Sequence, residues 1–339
     1  MKNKEIIQFC EAELLNEIKN RYELKGYTLT SVNGHEGGRN VVYIAFNDTK
    51  KYVLRISSIE DRKQEDFISE TEFVHYLAVN GADVADVISS RNGKLVEHVA
   101  IDGKDFYISV FEFAKGILIS ENNYKYRDNA AISEYFYNTG KTLGKIHKLS
   151  KQYKNPNNRI DFFEHYNMEY LEELISDEYI NLKASIRERL ERFKEIQRDS
   201  STYGLVHFDF SDGNYHIDYS NGKITVFDFE NCCTCWYMFD LANLWTHGVG
   251  WISWQNDIVK RKEFMSEYFD TILQGYKSET VISEDMLVRL PVFIDMVLIE
   301  NIVDEFECCM RAGVELDYED IEDAANALIN NKLYAGFFE

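Results

Sequence analysis

The sequence predicts an α+β chain: a small antiparallel sheet with one key helix, then a mainly helical remainder. Three observations predict it. Short runs of alternating apolar residues, separated by turn pairs such as Asn92-Gly93 and Asp102-Gly103, fill the first third. From about residue 130 the apolar residues recur at helical spacing. One further alternating pair, split by Asn221-Gly222, interrupts those helices. The expected division is therefore 1–113 and 114–339.

In chain order, residues 5–24 carry apolar side chains at helical spacing among charges, and residues 29–32, 41–46 and 52–56 read as strands. A glycine-rich turn holding Gly34, Gly37 and Gly38 joins the first two strands, and Asn47 to Lys51 turns the chain into the third. Residues 66–79 place Phe67, Glu70, Phe73, Val74 and Leu77 at helical spacing. Strands at 84–89, 95–99 and 106–111 complete the sheet, which the chain leaves at Glu112-Phe113-Ala114. Next comes a helix marked by Tyr135, Thr139, Leu143 and Ile146, in which Gly140 and Gly144 permit close approach of a neighbour. Helices at 162–174 and 179–196 precede the hairpin, and helices at 264–273, 290–309 and 321–333 close the chain.

Totals restrict the function. A formal charge of −21 disfavours nucleic-acid and anionic-membrane partners, because phosphates are repelled, and favours accumulation of a cationic small molecule. No run of 18 apolar residues occurs and the N-terminus has no signal-peptide core, so a soluble, cytoplasmic protein is expected. The six cysteines, including Cys232, Cys233 and Cys235, form neither a disulfide framework nor a spaced zinc set.

The chemistry concentrates in residues 204–230. Val206 and His207 end an apolar run, Asp209 to Asn214 is a polar turn, and residues on either side of Asn221-Gly222 alternate as a hairpin. Pairing residues whose numbers sum to about 443 sets Asn214 beside Asp228, within one residue of register. An amide oxygen and a carboxylate at one hairpin end suit Mg²⁺, whose other positions take water and phosphate. Asp209 is then a base in the same region, in the spacing His207-x-Asp209-x-x-x-x-Asn214 followed by Asp228.

These residues resemble the aminoglycoside phosphotransferase and choline kinase superfamily, small-molecule relatives of the protein kinases. Phe239-Asp240-Leu241-Ala242 is similar to that family's next motif, whose acidic residue buttresses the catalytic loop. Phe208 departs from the usual glycine, and Asp228-Phe229-Glu230 matches the small-molecule branch rather than the Asp-Phe-Gly of protein kinases. The resemblance implies a bilobal protein-kinase-like fold with a nucleotide-binding N-terminal lobe, and transfer of the γ-phosphate of ATP (or GTP), with Mg²⁺, to a hydroxyl. It implies Asp209 as base with His207 bracing its loop, and Asn214 and Asp228 as metal ligands. Gly34, Gly37, Gly38 and Arg55 would face the phosphates, Glu70 would pair with Arg55 where protein kinases carry Lys, and Glu112 to Ala114 would meet the adenine. The acceptor is expected to be a small, perhaps cationic, molecule of the choline, ethanolamine, homoserine, sugar or aminoglycoside class. Candidate contacts are Glu230, Trp245, Trp251, Asp295 and Glu300, the tryptophans with Trp254 as a cation-π wall. A protein Ser/Thr kinase and a non-catalytic nucleotide-binding protein are the alternatives.

Overall fold

The computed structural model describes residues 7, 13–32, 39–58, 62–101, 103–154 and 159–334. The glycine-rich turn with Gly34, Gly37 and Gly38 lies outside the described residues. The chain divides into two compact units, one of 1–114 with 155–159 and 308–315, the other of 115–154, 160–307 and 316–339.

The first unit is built on strands β1 (Thr28–Ser31), β2 (Asn40–Phe46), β3 (Lys51–Ser58), β4 (Val87–Ile88), β5 (Glu97–Ile101) and β6 (Lys104–Glu112). The sheet runs β1-β2-β3-β6-β4, with β5 also on β6, and every pairing is antiparallel. Strand period 2 puts Val41, Tyr43 and Ala45 of β2 with Leu54 and Ile56 of β3 on one face, against Leu14, Ile18 and Tyr22 at and beside helix α1 (Leu15–Arg21). Arg55 and Ser57 point to the other face, and both are buried. Helix α2 (Gln64–Val79) buries Phe67, Glu70, Phe73, Val74 and Leu77. The strand expected over 84–89 is only two residues long, since β4 pairs with β6 solely at Val87 and Ile88.

In the second unit, helix α3 (Ile132–Ser150) packs on α8 (Ile258–Lys277). Their backbones meet closely because a Cβ at Gly140, Gly144 or Gly275 would collide with backbone atoms of the facing helix. The helix expected over 162–174 is instead two, α4 (Phe162–His165) and α5 (Met168–Leu174). Each has its own side-chain cap, Asp161 on Phe163 N and Asn167 on Tyr170 N, and the second cap breaks the run. Helix α6 (Ile180–Lys194) leads to β7 (Tyr203–Val206), which pairs with β10 (Cys233–Trp236), and between them lies the hairpin β8 (Tyr215–Asp218) and β9 (Lys223–Val226). The β7–β10 pair was not expected from sequence. Helices α7 (Tyr237–Ile252), α9 (Glu284–Val288), α10 (Leu290–Ala312, its residues from 308 counted with the first unit) and α11 (Glu322–Ile329) follow, with short 3₁₀ turns at Ser120–Asn122, Asp177–Tyr179 and Tyr318–Asp320. Among the described residues no helix is long and apolar enough to cross a membrane.

Candidate active site

Two nested antiparallel ladders assemble the loop. β7 ends at Val206 opposite Cys233, and β8 begins at Tyr215 opposite Val226. Residues 207–214 and 227–232 therefore leave and re-enter at the same strand ends, and are adjacent although the hairpin separates them in sequence. Hairpin partners sum to 441, and the ladder is prolonged by Phe227 N donating to Asn214 O at 2.9 Å. The expected two-residue Asn221-Gly222 turn is in fact a four-residue loop, 219–222. The Asp218 carboxylate accepts from Ser220 N, the Ser220 hydroxyl and Asn221 Nδ2, so this side-chain-capped turn displaces the tighter one.

Asp209 accepts hydrogen bonds from Asn214 Nδ2 at its carboxylate (2.7 Å) and its backbone carbonyl (2.9 Å). With both amide hydrogens committed, Asn214 Oδ1 remains as the oxygen it can offer a cation. Asp228 follows one residue beyond Asn214's ladder partner, and its φ of +64° turns the chain out of β9. An amide and a carboxylate one ladder position apart at the same hairpin end fit the hard-oxygen preference of Mg²⁺. Burial raises the Asp209 pKa to about 6; the Asn214 hydrogen bond opposes this, while the charges of Asp304, Glu230 and Asp240 add to it.

His207 is fully buried, its Nε2 donating to Phe227 O at 3.0 Å while Nδ1 accepts from Asp209 N at 3.3 Å. Its ring thus joins the two segments. Asp240, at the start of α7, accepts from His207 N and Phe208 N, both at 2.9 Å. Those bonds hold Phe208 at a φ of +73°, a left-handed conformation costly for an aromatic residue, and its ring stacks on Phe239 at 4.2 Å. His147 of α3 donates from Nε2 to Asp240 at 2.9 Å and accepts at Nδ1 from the Tyr276 hydroxyl at 3.0 Å. Burial lowers the His147 pKa, and the hydrogen bond to the Asp240 carboxylate partly opposes it. The sequence marks His147 as a packed or surface histidine of this helix, and it is fully buried; its partners Asp240 and Tyr276 were not expected from sequence. The available signal was a histidine on the same apolar helix face as Gly140 and Gly144.

Around Asp209 the acidic residues are selective. Glu300, Asp304 and Glu307 recur at i, i+4 and i+7 on one face of α10. Their charges act on buried Tyr166, and those of Asp304 and Glu230 act on Asp209. Glu307 accepts from the Tyr170 hydroxyl at 2.6 Å and pairs with His165 at 2.9 Å. Asp295 is elsewhere, bound to Arg189 of α6 at 2.8 Å, and takes no part in this face. The tryptophans do not wall one pocket. Trp251 packs among Tyr124, Tyr135 and Phe136, Trp254 is 73% exposed, and Trp245 is half-buried.

In the first unit Arg55 and Glu70 form a buried two-pronged ion pair, Nη1 to Oε1 at 2.7 Å and Nη2 to Oε2 at 2.8 Å. The guanidinium also lies 5.1 Å over the Phe111 ring. Glu112 ends β6 with its N–H on Asp86 O, and Ala114 is buried.

The chain matches the Phosphotransferase enzyme family over residues 32–277. It is 27% identical over 328 residues to the amicoumacin kinase of Bacillus subtilis (strain 168), covering 92% of this chain and 93% of that one. Among solved structures, an amicoumacin kinase hAmiN in complex with AMP-PNP, Ca²⁺ and Ami superposes with a TM-score of 0.79, at 21% identity and 96% coverage of both chains. A microcompartment-associated aminopropanol kinase superposes with a TM-score of 0.70 at 17% identity, covering 95% of this chain and 99% of that one. The protein-kinase-like fold is shared with these structures, and the chain belongs to the phosphotransferase enzyme family, as a small-molecule kinase.

Proposed function

We propose that this kinase transfers the γ-phosphoryl group of ATP or GTP, with Mg²⁺, to a hydroxyl on a small molecule that also carries an amine. The observation that supports this most is the acidity around the base: the charges of Asp304, on the acidic face of α10 with Glu300, and of Glu230 act on Asp209, and that of Glu300 acts on buried Tyr166. An ammonium group set against that face is favourably placed electrostatically, whereas a neutral sugar gains nothing from it. The names of the relatives support a small-molecule acceptor, and an aminopropanol bears both an amine and a hydroxyl.

Each residue then has a task. Asp209 accepts or orients the proton of the acceptor hydroxyl, and its raised pKa suits a base that works near neutrality. Asn214 and Asp228 would hold the metal, which when bound supplies positive charge against the phosphate oxygens. Asp240, through His207 N and Phe208 N, fixes the backbone from which Asp209 projects. Arg55, held flat by Glu70, offers its guanidinium edge to phosphate in the role usually taken by lysine. Phosphoryl transfer asks the protein mainly for positioning and electrostatics, and this set supplies both.

The test is Mg²⁺-dependent ADP and GDP release with amino alcohols, hydroxylated amino acids, aminoglycosides and neutral sugars, using Asp209→Asn as the blank. Turnover confined to amine-bearing compounds is expected. Turnover of neutral sugars at equal efficiency, or of a protein alone, would overturn the acceptor assignment.

A further inference from the structure

The second unit contains a cavity of about 410 Å³, a size typical of sites for small organic molecules. None of the residues assigned above as base, metal donor or acceptor contact lines it. Its wall combines a cation, hydroxyl groups and buried thioethers: Lys151, Thr280, Tyr237, Tyr276, Met238 and Met286.

Lys151 sets the chemistry. Its ammonium donates to Thr280 Oγ1 at 3.1 Å and to Val281 O at 2.8 Å, and lies 5.1 Å over the Tyr237 ring. An ammonium has three hydrogens to donate, and both of these acceptors are neutral. Among the described residues no carboxylate pairs with it; Glu279, also in the wall, pairs with Lys148 at 3.5 Å. Burial lowers the Lys151 pKa with no acidic group offsetting the loss of solvent, the mark of a cation that an incoming anion would stabilise. Met238 and Met286, both buried, supply the adaptable apolar wall that an aliphatic or aromatic body would pack against.

Tyr276 gives the cavity a route to the loop. It lines the wall, and its hydroxyl donates to His147, which in turn donates to Asp240, the acceptor of His207 N and Phe208 N. An occupant that moves Tyr276 changes the hydrogen bond that fixes the His147 tautomer.

We propose that this cavity binds a small amphipathic organic carboxylate, its head on Lys151 and Thr280 and its body on Met238 and Met286, and that occupancy is sensed at the catalytic loop through Tyr276 and His147. The site is regulatory and separate from the acceptor face, so its test does not depend on the acceptor's identity.

Isothermal titration of the full-length protein with octanoate, octan-1-ol and octylammonium tests the binding. Octanoate is expected to bind at least tenfold more tightly than the other two. Lys151→Met removes that preference, Lys151→Arg keeps it, and Met286→Trp, which fills the cavity, abolishes octanoate binding. Absence of octanoate binding to the wild-type protein, or an unchanged preference in a folded Lys151→Met variant, would overturn the proposal. For the coupling, octanoate shifts the ¹⁵N imidazole resonances of His147 in the wild type and not in Tyr276→Phe. An unmoved His147 signal in octanoate-saturated wild type would refute the link to the loop.

Discussion

Asn214 donates its side-chain amide to the Asp209 carboxylate at 2.7 Å, so the residues proposed here as base and metal donor are tied by a direct hydrogen bond. Replacing either partner has a different signature. Asp209→Asn removes the proton acceptor and leaves Asn214 facing an amide. The expected loss in kcat is about 10²- to 10⁴-fold, with nucleotide affinity nearly unchanged. Asn214→Ala removes a cation ligand and the constraint on Asp209, so it raises the Mg²⁺ concentration needed for half-maximal rate as well as lowering kcat. Initial rates across a Mg²⁺ series separate the two. Equal Mg²⁺ dependence in both variants would contradict this division of roles.

The Asp209 carboxyl also leaves a mark on stability. Its pKa is raised from 3.8 to about 6, chiefly by burial, so the folded state holds this proton more tightly than the unfolded chain does. Below the lower value both states are protonated and the group contributes nothing. As pH rises through the interval the unfolded chain ionises first and folding is progressively disfavoured, by at most about 3 kcal/mol above the upper value. In metal-free protein, Asp209→Asn is therefore expected to raise unfolding stability at pH 8 and to leave it little changed at pH 4. Denaturant titrations at both values check this, and a stabilisation of equal size at pH 4 would contradict it.

Arg55 and Glu70 bind through two parallel hydrogen bonds in a buried setting, where removing one charge strands the other. Glu70→Gln is expected to cost about 3 kcal/mol or more in unfolding stability and to weaken nucleotide binding, because the guanidinium is no longer held flat. Arg55→Lys keeps the charge but not the fork, and falls between the wild type and Glu70→Gln. Thermal melts with and without ATP measure both effects; wild-type melting of Glu70→Gln would show the pair to be dispensable.

Much of this arrangement can be seen in the residues themselves, for local reasons. Alternation along β2 and β3 fixes which residues face the core, and it places Arg55 opposite Leu54 and Ile56. His207, Asp209, Asn214 and Asp228 flank one hairpin, so a short stretch of chain is enough to read their spacing. What escapes is decided by tertiary partners. The β7–β10 ladder joins segments nearly thirty residues apart, and Cys233 to Trp236 carries no turn or alternation strong enough to announce a strand. Helical spacing already sets Asp295 and Glu300 on different faces, so both cannot meet one pocket, but that Asp295 is the one taken elsewhere is decided by Arg189 on a different helix. The hairpin turn is missed because Asp218 caps it from outside the Asn221-Gly222 pair.

His147 is buried between two partners from different helices, donating to Asp240 and accepting from Tyr276. His147→Ala leaves the Asp240 carboxylate with one donor fewer and the Tyr276 hydroxyl without its acceptor, at a cost of about 2 to 4 kcal/mol. Because Asp240 keeps its bonds to His207 N and Phe208 N, the variant is expected to retain turnover at low temperature and lose it steeply on warming. Asp240→Asn differs: it removes an acceptor from the loop itself, and kcat falls at every temperature. Rates from 10 °C upward on both variants test this, and an Asp240→Asn enzyme with wild-type kcat at the lowest temperature would refute it.

The acidic face of α10 bears directly on the acceptor. Glu300 and Asp304 lie one turn apart on α10, and charge from this face already raises the Asp209 pKa through Asp304. Neutralising both, as Glu300→Gln with Asp304→Asn, has two opposing consequences. The attraction for an ammonium group weakens, so KM for an amine-bearing acceptor rises, by roughly tenfold for about 1.4 kcal/mol lost across the pair. At the same time the carboxyl of Asp209 is relieved of a neighbouring negative charge, its pKa falls, and the acid limb of the kcat/KM profile moves to lower pH. Salt should imitate the first effect in the wild type and have less influence on the double variant, because partly exposed charges are screened. KM measured against ionic strength, with the pH profile of the same two proteins, checks both halves. A rise in KM without the shift of the acid limb would place the acceptor's cation near Glu300 but remove Asp304 from the neighbourhood of the base.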